Sequence, residues 1–298
     1  MVQGITNVYI SNTVHFSALI VESLSPLNFS VNKINDRDYK IVLDSSLIMA
    51  PDTIYVFDGL VNLVSVTEKG GKSIVEVSLT YPSSYQVKKK GKLPAKLMIL
   101  FDRYFLKSQL SDRVIVIDPG HGGKDLGHRG YINLLEKNVV MDVANYLKED
   151  LISYGAYAVK TREKDVRIGI RDRISTAVLL EAEMFISLHT NWDRAKAVCG
   201  AKGTYWGKGG KILCESILEE IEKKPGLKNL GANIDEKFSR FLPHSYANKI
   251  PFVEIELCTI SNPVEEGWLR SPVFKKRLAC AISNGIVNYL FQNNNIDV

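Results

Sequence analysis

An α/β fold, built on a largely parallel sheet with helices on both faces and preceded by a small all-β sandwich-like domain, is the fold class this sequence predicts. Three observations carry it. Residues 1–108 are a series of short runs rich in β-branched and aromatic residues, broken at close intervals by Gly, Asn, Asp and Pro. From Val114 onward, apolar runs of strand length alternate with stretches of helical periodicity. Two of those apolar runs, Val114-Ile115-Val116-Ile117 and Phe185-Ile186-Ser187-Leu188, each lead into a histidine, His121 and His189.

In the first domain, Tyr39–Leu43, Thr53–Phe57 and Ser73–Leu79 read as strands. Glu68-Lys69-Gly70-Gly71-Lys72 reads as a hairpin turn, because paired glycines accept the positive φ that tight hairpins demand. His15 is its one histidine and no acids converge, so the domain reads as a binding or positioning module. The basic run Lys88-Lys89-Lys90-Gly91-Lys92 reads as a solvated hairpin. Ser108 to Arg113 reads as the linker.

The second domain, residues 113–298, opens with a strand at Val114–Ile117. Leu135, Val139, Val140, Val143, Leu147 and Leu151 then recur at helical spacing until Gly155 ends the helix. Tyr157–Lys160 follows as strand, Arg171–Leu180 as helix, Met184–Leu188 as strand and Ile212–Lys223 as helix. Pro251 opens the strand Phe252–Leu257, a first position where proline costs no ladder hydrogen bond. A helix from Val273 to about Phe291 closes the chain.

With 298 residues, 45% hydrophobic and 24% charged, the composition is that of an ordinary globular protein. No apolar run reaches the roughly 18 residues of a membrane span. The amino terminus has neither a basic flank nor an apolar core, so it does not read as an export signal. The net charge of +5 suits an acidic polymer without identifying one, and nothing calls for nucleic acid. None of Cys199, Cys214, Cys258 and Cys280 has metal-finger spacing. Cys258 and Cys280 read as small core residues, and a Cys199–Cys214 disulfide stays open.

Open α/β sheets gather ligands outside the carboxyl ends of their strands, so His121 and His189 can meet there. Glu136, at the start of the first helix, lies where the helix dipole favours an ionised carboxylate. Two imidazoles and a carboxylate suit one catalytic zinc ion with a position left for water. A base for that water would be a further carboxylate at a strand end. Glu254 and Glu256 share one face of the strand Phe252–Leu257, and Glu256, nearer its carboxyl end, is the candidate. His128, in a glycine-rich loop, reads as exposed rather than ligating, and His244 as an ordinary loop residue.

At these residues the chain resembles the zinc-dependent N-acetylmuramoyl-L-alanine amidases, the Amidase_3 family. The resemblance runs through Asp118-Pro119-Gly120-His121-Gly122-Gly123, Gly127, Gly130 and Glu136-Lys137. It continues through Thr161-Arg162 and Asp165, Arg173, Ala177, Ala182 and Phe185–Asn191. Pro251, Val253, Ile255-Glu256 and Ile260-Ser261-Asn262 extend it, and Ala281-Ile282, Gly285-Ile286 and Tyr289 close it. The resemblance implies that His121, Glu136 and His189 hold zinc and that Glu256 is the catalytic glutamate. It implies hydrolysis of the amide joining N-acetylmuramic acid to L-alanine in peptidoglycan, hence work in the periplasm or outside the cell. Residues 1–108 look like the AMIN-type β-domain associated with envelope targeting. Cys258-Thr259 depart from the family's Gly-Phe, and Ala177-Val178 and Ala182-Glu183 from its Ala-Asn and Ala-Asp. The segment from Gly210 to Pro251 is short beside relatives that carry an autoinhibitory helix, which predicts an open site.

Two other readings fit the same residues: another zinc peptidase or deacetylase of this fold, and a catalytically silent peptidoglycan-binding protein. Intact His121, Glu136, His189 and Glu256 argue against the silent form.

Overall fold

In the computed structural model, which describes residues 4–91, 93–235, 240 and 249–294, the early strands build two antiparallel sheets. One has β1 (Ile5–Asn12), β2 (Phe16–Ser23), β9 (Ala95–Asp102) and β8 (Tyr85–Lys90) in the order β1-β2-β9-β8. The other has β3 (Phe29–Lys33), β4 (Asp38–Leu43), β7 (Lys72–Leu79), β6 (Val61–Lys69) and β5 (Asp52–Tyr55) in the order β3-β4-β7-β6-β5. Alternation decides which face is buried: Tyr39, Ile41 and Leu43 of β4 and Val75 and Val77 of β7 are all inside. Tyr39 meets Phe101 at 5.1 Å and Tyr85 at 5.5 Å between ring centroids, so aromatic residues join the two sheets. The β6–β7 turn is carried by Gly70 and Gly71, with φ of 61° and 72°. Lys88, Lys89 and Lys90 lie exposed on the edge strand β8, where charge discourages pairing with a second chain. Lys92 of the same cluster lies outside the described residues.

The later residues form a six-stranded sheet in the order β11-β10-β12-β15-β13-β14. Its strands are β10 (Val114–Pro119), β11 (Tyr157–Lys160), β12 (Met184–Asn191), β13 (Ala201–Trp206), β14 (Asn229–Ile234) and β15 (Phe252–Thr259). Val116, Phe185 and Phe252 are register partners on three adjacent strands. With Ile174 and Ala177 of α3 (Ile170–Leu179) they form a buried cluster on one face. The opposite face carries α2 (Glu136–Ser153), α4 (Gly207–Lys223) and α6 (Pro272–Asn294), with α6 packed against both α2 and α4. Gly285 permits that packing: a Cβ there would lie 2.5 Å from the Ile217 Cα of α4. The short α5 (Pro263–Leu269) precedes α6, and α1 (Tyr104–Leu110) spans the junction of the two compact units, Met1–Ser108 and Gln109–Val298.

The sheet is mixed rather than largely parallel throughout. β13 runs antiparallel to β15, while β10–β11, β10–β12, β12–β15 and β13–β14 pair in parallel. Periodicity did not announce β13 or β14. β13 is short and contains Gly203, whose missing side chain makes room for the Cys214 sulfur. β14 buries none of its residues, so it shows no apolar alternation. α5 carries a legible start signal: Asn262 accepts from the Val264 and Glu265 amides, with Pro263 opening the helix. All four cysteines are free thiols, so Cys199 and Cys214 form no disulfide. Burial pushes the Cys214 thiol up to about 12. Among the described residues no helix is long and apolar enough to cross a membrane.

Candidate metal centre

The carboxyl ends of β10, β12 and β15 meet at one place, and the register fixes what stands there. Pro119 pairs with Leu188, and His189 pairs with Glu256. The Gly120 amide donates to the Leu188 carbonyl at 3.0 Å, which seats the β10 loop against β12. A side chain at Gly120 would collide with the His189 ring, with Cε1 only 2.3 Å from the added carbon. His121 itself takes φ of 59°, a left-handed conformation uncommon outside glycine. Such local strain persists only where the surroundings enforce it.

The enforcement is visible beneath the loop. Arg162 is buried and donates to the carbonyls of Pro119 (2.9 Å), Gly120 (2.9 Å) and Lys137 (3.1 Å). Arg173 donates to the Asp118 carboxylate at 2.6 Å and to the carbonyls of Pro119 (2.9 Å) and His121 (2.7 Å). Asp118 also accepts from the hydroxyls of Thr161 (2.5 Å) and Ser187 (2.8 Å). A planar guanidinium satisfies several carbonyls at once, a task lysine cannot match. Sequence spacing alone did not reveal this scaffold, because its members come from separate elements.

Glu136 is fully buried in the first turn of α2. It accepts the amides of His128 and Thr190, each at 2.7 Å, and lies 3.2 Å from both His121 Nε2 and His189 Nδ1. Burial alone would push its carboxyl up. The contacts with His121 and His189 and the His128 amide outweigh burial and hold Glu136 well below the usual carboxylate range. His121 shows the converse balance: burial lowers it, but Glu136 and Asp125 raise it further. Asp125 Oδ1 sits 2.9 Å from His121 Nδ1, an outer carboxylate that orients the ring.

One candidate ligand atom from each of His121, Glu136 and His189 lies within 4.8 Å of the others. The donor set, two imidazoles and a carboxylate, suits a single borderline-soft divalent ion such as zinc. Gly127, with φ of 65°, keeps the space clear, since a Cβ there would approach Glu136 Oε2 and His121 Cδ2 to 2.6 Å.

Glu256, the register partner of His189, is in a contrasting environment. Burial raises its carboxyl, the charges of Glu254 and Glu136 add to that, and Lys202 and His189 only partly offset it. Its Oε2 is buried and accepts no hydrogen bond from the described residues. Glu254 lies one pleat repeat earlier, with Oε2 3.7 Å from His189 Nε2. It lines a cavity of about 310 Å³ that His121, His189, Asp118 and Arg167 also border. His128 is half-exposed, as its loop setting suggests, yet its Nδ1 is 3.1 Å from Glu136 Oε2. It stands outside the three-residue group. His244 lies outside the described residues, as do residues 236–239 and the rest of 241–248 in the segment between Gly210 and Pro251. Cys258 and Thr259 are both fully buried, and the Thr259 amide donates to Glu265 at 2.7 Å.

Residues 115–288 match the N-acetylmuramoyl-L-alanine amidase family, more than half of the chain. The chain belongs to this family. Among its relatives, the N-acetylmuramoyl-L-alanine amidase LytC of Bacillus subtilis is 31% identical over 188 residues, 62% of this chain and 37% of LytC. AmiA of Escherichia coli is 27% identical over 223 residues, covering 59% of this chain and 76% of AmiA. Of the solved structures, the amidase AmiC2 of Nostoc punctiforme has 30% identity and a TM-score of 0.55, covering 60% of this chain and 97% of that one. The match is thus with the later unit, which carries the amidase fold, and residues 1–108 stand outside it.

Proposed function

We propose that this chain is a zinc-dependent N-acetylmuramoyl-L-alanine amidase that cuts the bond between the lactyl group of N-acetylmuramic acid and L-alanine in peptidoglycan. The observation that carries the zinc dependence is the convergence of His121, Glu136 and His189 within 4.8 Å beside Glu256. When bound there, zinc lowers the pKa of a bound water toward about 7 and polarises the amide carbonyl. His121 and His189 would hold the ion through imidazole nitrogens, and Glu136 would supply the anionic ligand. The Glu136 carboxylate is already ionised in its buried site, so it need not lose a proton to ligate. Glu256 takes the proton of the attacking water and returns it to the leaving nitrogen. Its raised carboxyl makes it a stronger base than a solvated glutamate.

Peptidoglycan as substrate places the work in the periplasm or outside the cell. Residues 1–108 are read as an AMIN-like module that holds the enzyme at the envelope, a reading supported by their all-β build and their place before the amidase unit. The site is read as open, with no segment plugging it. Incubation of the zinc-loaded full chain with purified peptidoglycan should release free L-alanine amino termini and leave intact glycan strands. Release of new amino termini from within the stem peptides instead would identify a peptidase. Binding without cleavage would identify a silent wall-binding protein.

A further inference from the structure

Beside Glu136, and outside the lining of the cavity bordered by Arg167 and Glu254, the molecule presents an exposed aromatic pair that the hydrolytic chemistry does not use. The His128 and Trp192 rings stack at 6.2 Å between centroids with 24° between their planes. Trp192 is 45% exposed and Tyr131, in the same loop as His128, is 58% exposed. Exposed aromatic faces beside a reaction centre offer apolar area that the apolar face of a ligand can cover.

The surface is built, not loose. Trp192 is fixed from both sides: the Asn191 carbonyl accepts the Ile260 amide at 2.8 Å, and the Asp193 amide donates to Ser261 Oγ at 2.9 Å. His128 is fixed by its amide on Glu136 at 2.7 Å. Tyr131 is covered on one face by Lys196 Nζ at 4.0 Å, and the Lys196 carbonyl accepts from Asn262 Nδ2 at 2.9 Å. Three loops, 126–135, 192–199 and 260–262, therefore hold one preformed platform, and a preformed platform loses little entropy on binding.

We propose that the His128–Trp192 platform seats the N-acetylmuramyl pyranose ring, leaving the Arg167-bordered cavity to the peptide. This assignment rests on the amidase reading of the metal centre. It follows from the substrate's connectivity. The scissile carbonyl belongs to a lactyl group whose ether oxygen is attached to the sugar, a three-bond tether that forces the ring to lie beside the metal centre. The two neighbourhoods available to substrate differ in chemistry. The cavity is polar, bordered by Asp118, Ser187, Glu254 and the exposed Arg167, and suits the charged stem peptide. The platform offers the solvent-facing side of the half-exposed Trp192 for the C–H face of a pyranose and the polar edge of an imidazole for its hydroxyls.

The test compares two ligands that share the scissile amide: N-acetylmuramyl-L-alanyl-D-isoglutamine and its sugar-free analogue, D-lactyl-L-alanyl-D-isoglutamine. Full-length zinc-loaded protein and its Trp192→Ala and Trp192→Phe variants are assayed for cleavage. The same substitutions in a Glu256→Gln background are titrated calorimetrically for binding. With the platform as assigned, Trp192→Ala raises KM and Kd for the muramyl ligand on the order of tenfold and leaves kcat nearly unchanged, as loss of one aromatic face predicts. The lactyl ligand is unaffected, and Trp192→Phe keeps most of the affinity. Equal losses on both ligands, no loss on the muramyl ligand, or a Phe variant as impaired as the Ala variant would overturn the platform. Absence of cleavage by wild type, with sugar-dependent binding through Trp192 intact, would overturn the amidase reading and spare the platform.

Discussion

Glu136, in contact with His189, and Glu256, the register partner of His189, are driven in opposite directions. Glu136 collects two backbone amides and two imidazoles, which overcome the cost of burial and keep it ionised. Glu256 faces burial with two like charges near it, and one of its oxygens receives no donor from the described residues. What separates the two is not burial but the donors supplied to each. A carboxylate saturated with donors is a poor proton acceptor and a good fixed ligand. A carboxylate deprived of them seeks a proton. Opposed shifts of this kind support the division of ligand and base proposed above for Glu136 and Glu256.

The largest expected effect comes from disturbing the donor-rich side. Glu136→Ala removes the anionic ligand and strands the amides of His128 and Thr190. Metal analysis should find the variant essentially zinc-free, and its activity should fall below detection. Leaving buried donors unpaired should also cost about 3 kcal/mol, read as a lower urea midpoint. His189→Ala should likewise lose zinc, with the fold retained by circular dichroism. Near-full zinc occupancy in either variant would remove that residue from the ligand set.

Disturbing the donor-poor side should give the opposite pattern. Glu256→Gln preserves shape but cannot take a proton, so zinc should stay bound while kcat falls about 10²- to 10⁴-fold. Turnover close to wild type would show that another group is the base.

Stability against pH sharpens the same contrast in metal-free protein, with smaller effects. Glu136 is depressed in the folded state, so its stabilisation is complete above the unfolded carboxylate value and is lost as pH falls through the lower folded one. Glu256 is raised, so the folded state retains a proton that the unfolded state has released. Its contribution therefore declines as pH rises from the unfolded value through the folded one. Glu256→Gln should then raise the thermal midpoint of metal-free protein at neutral pH and leave it little changed in acid. Carboxyl-carbon NMR should place Glu256 above an ordinary glutamate in the metal-free form and lower it when zinc adds positive charge nearby. A neutral-pH midpoint that drops in Glu256→Gln would mean that its carboxylate is better solvated than its surroundings indicate.

How much of this could be read in advance follows from how local each signal is. His121, Glu136 and His189 were legible because each sits at a punctuated boundary: a strand end followed by glycines, a helix start, a second strand end. The strands and helices that bring them together were legible for the same reason. β13 was not, since its antiparallel placement beside β15 depends on a partner some fifty residues later rather than on its own pattern. Arg162, Arg173 and Asp118 show periodicity of no kind, and their shared work appears only when three elements are folded. Trp192 carries no signal in a polar loop, and only the fold stacks it on His128.

Glu254 tests the finest part of the comparison, because alternation places it on the same strand face as Glu256. Register distinguishes the two: His189 pairs with Glu256, whereas Glu254 pairs with Ser187 one pleat deeper. Its carboxylate still reaches the cavity and stands 3.7 Å from His189 Nε2, beyond hydrogen-bond range. A group so placed acts on the ring through its charge, and the proposed base is Glu256. Glu254→Gln should therefore keep its zinc and change kcat by less than about tenfold, well short of what proton transfer contributes. Its main consequence should be a modest loss of zinc affinity, since one negative charge leaves the neighbourhood of a cationic centre. If Glu254→Gln abolished turnover while Glu256→Gln kept it, the proton would have to travel through Glu254, and the strand-end register would have pointed to the wrong carboxylate.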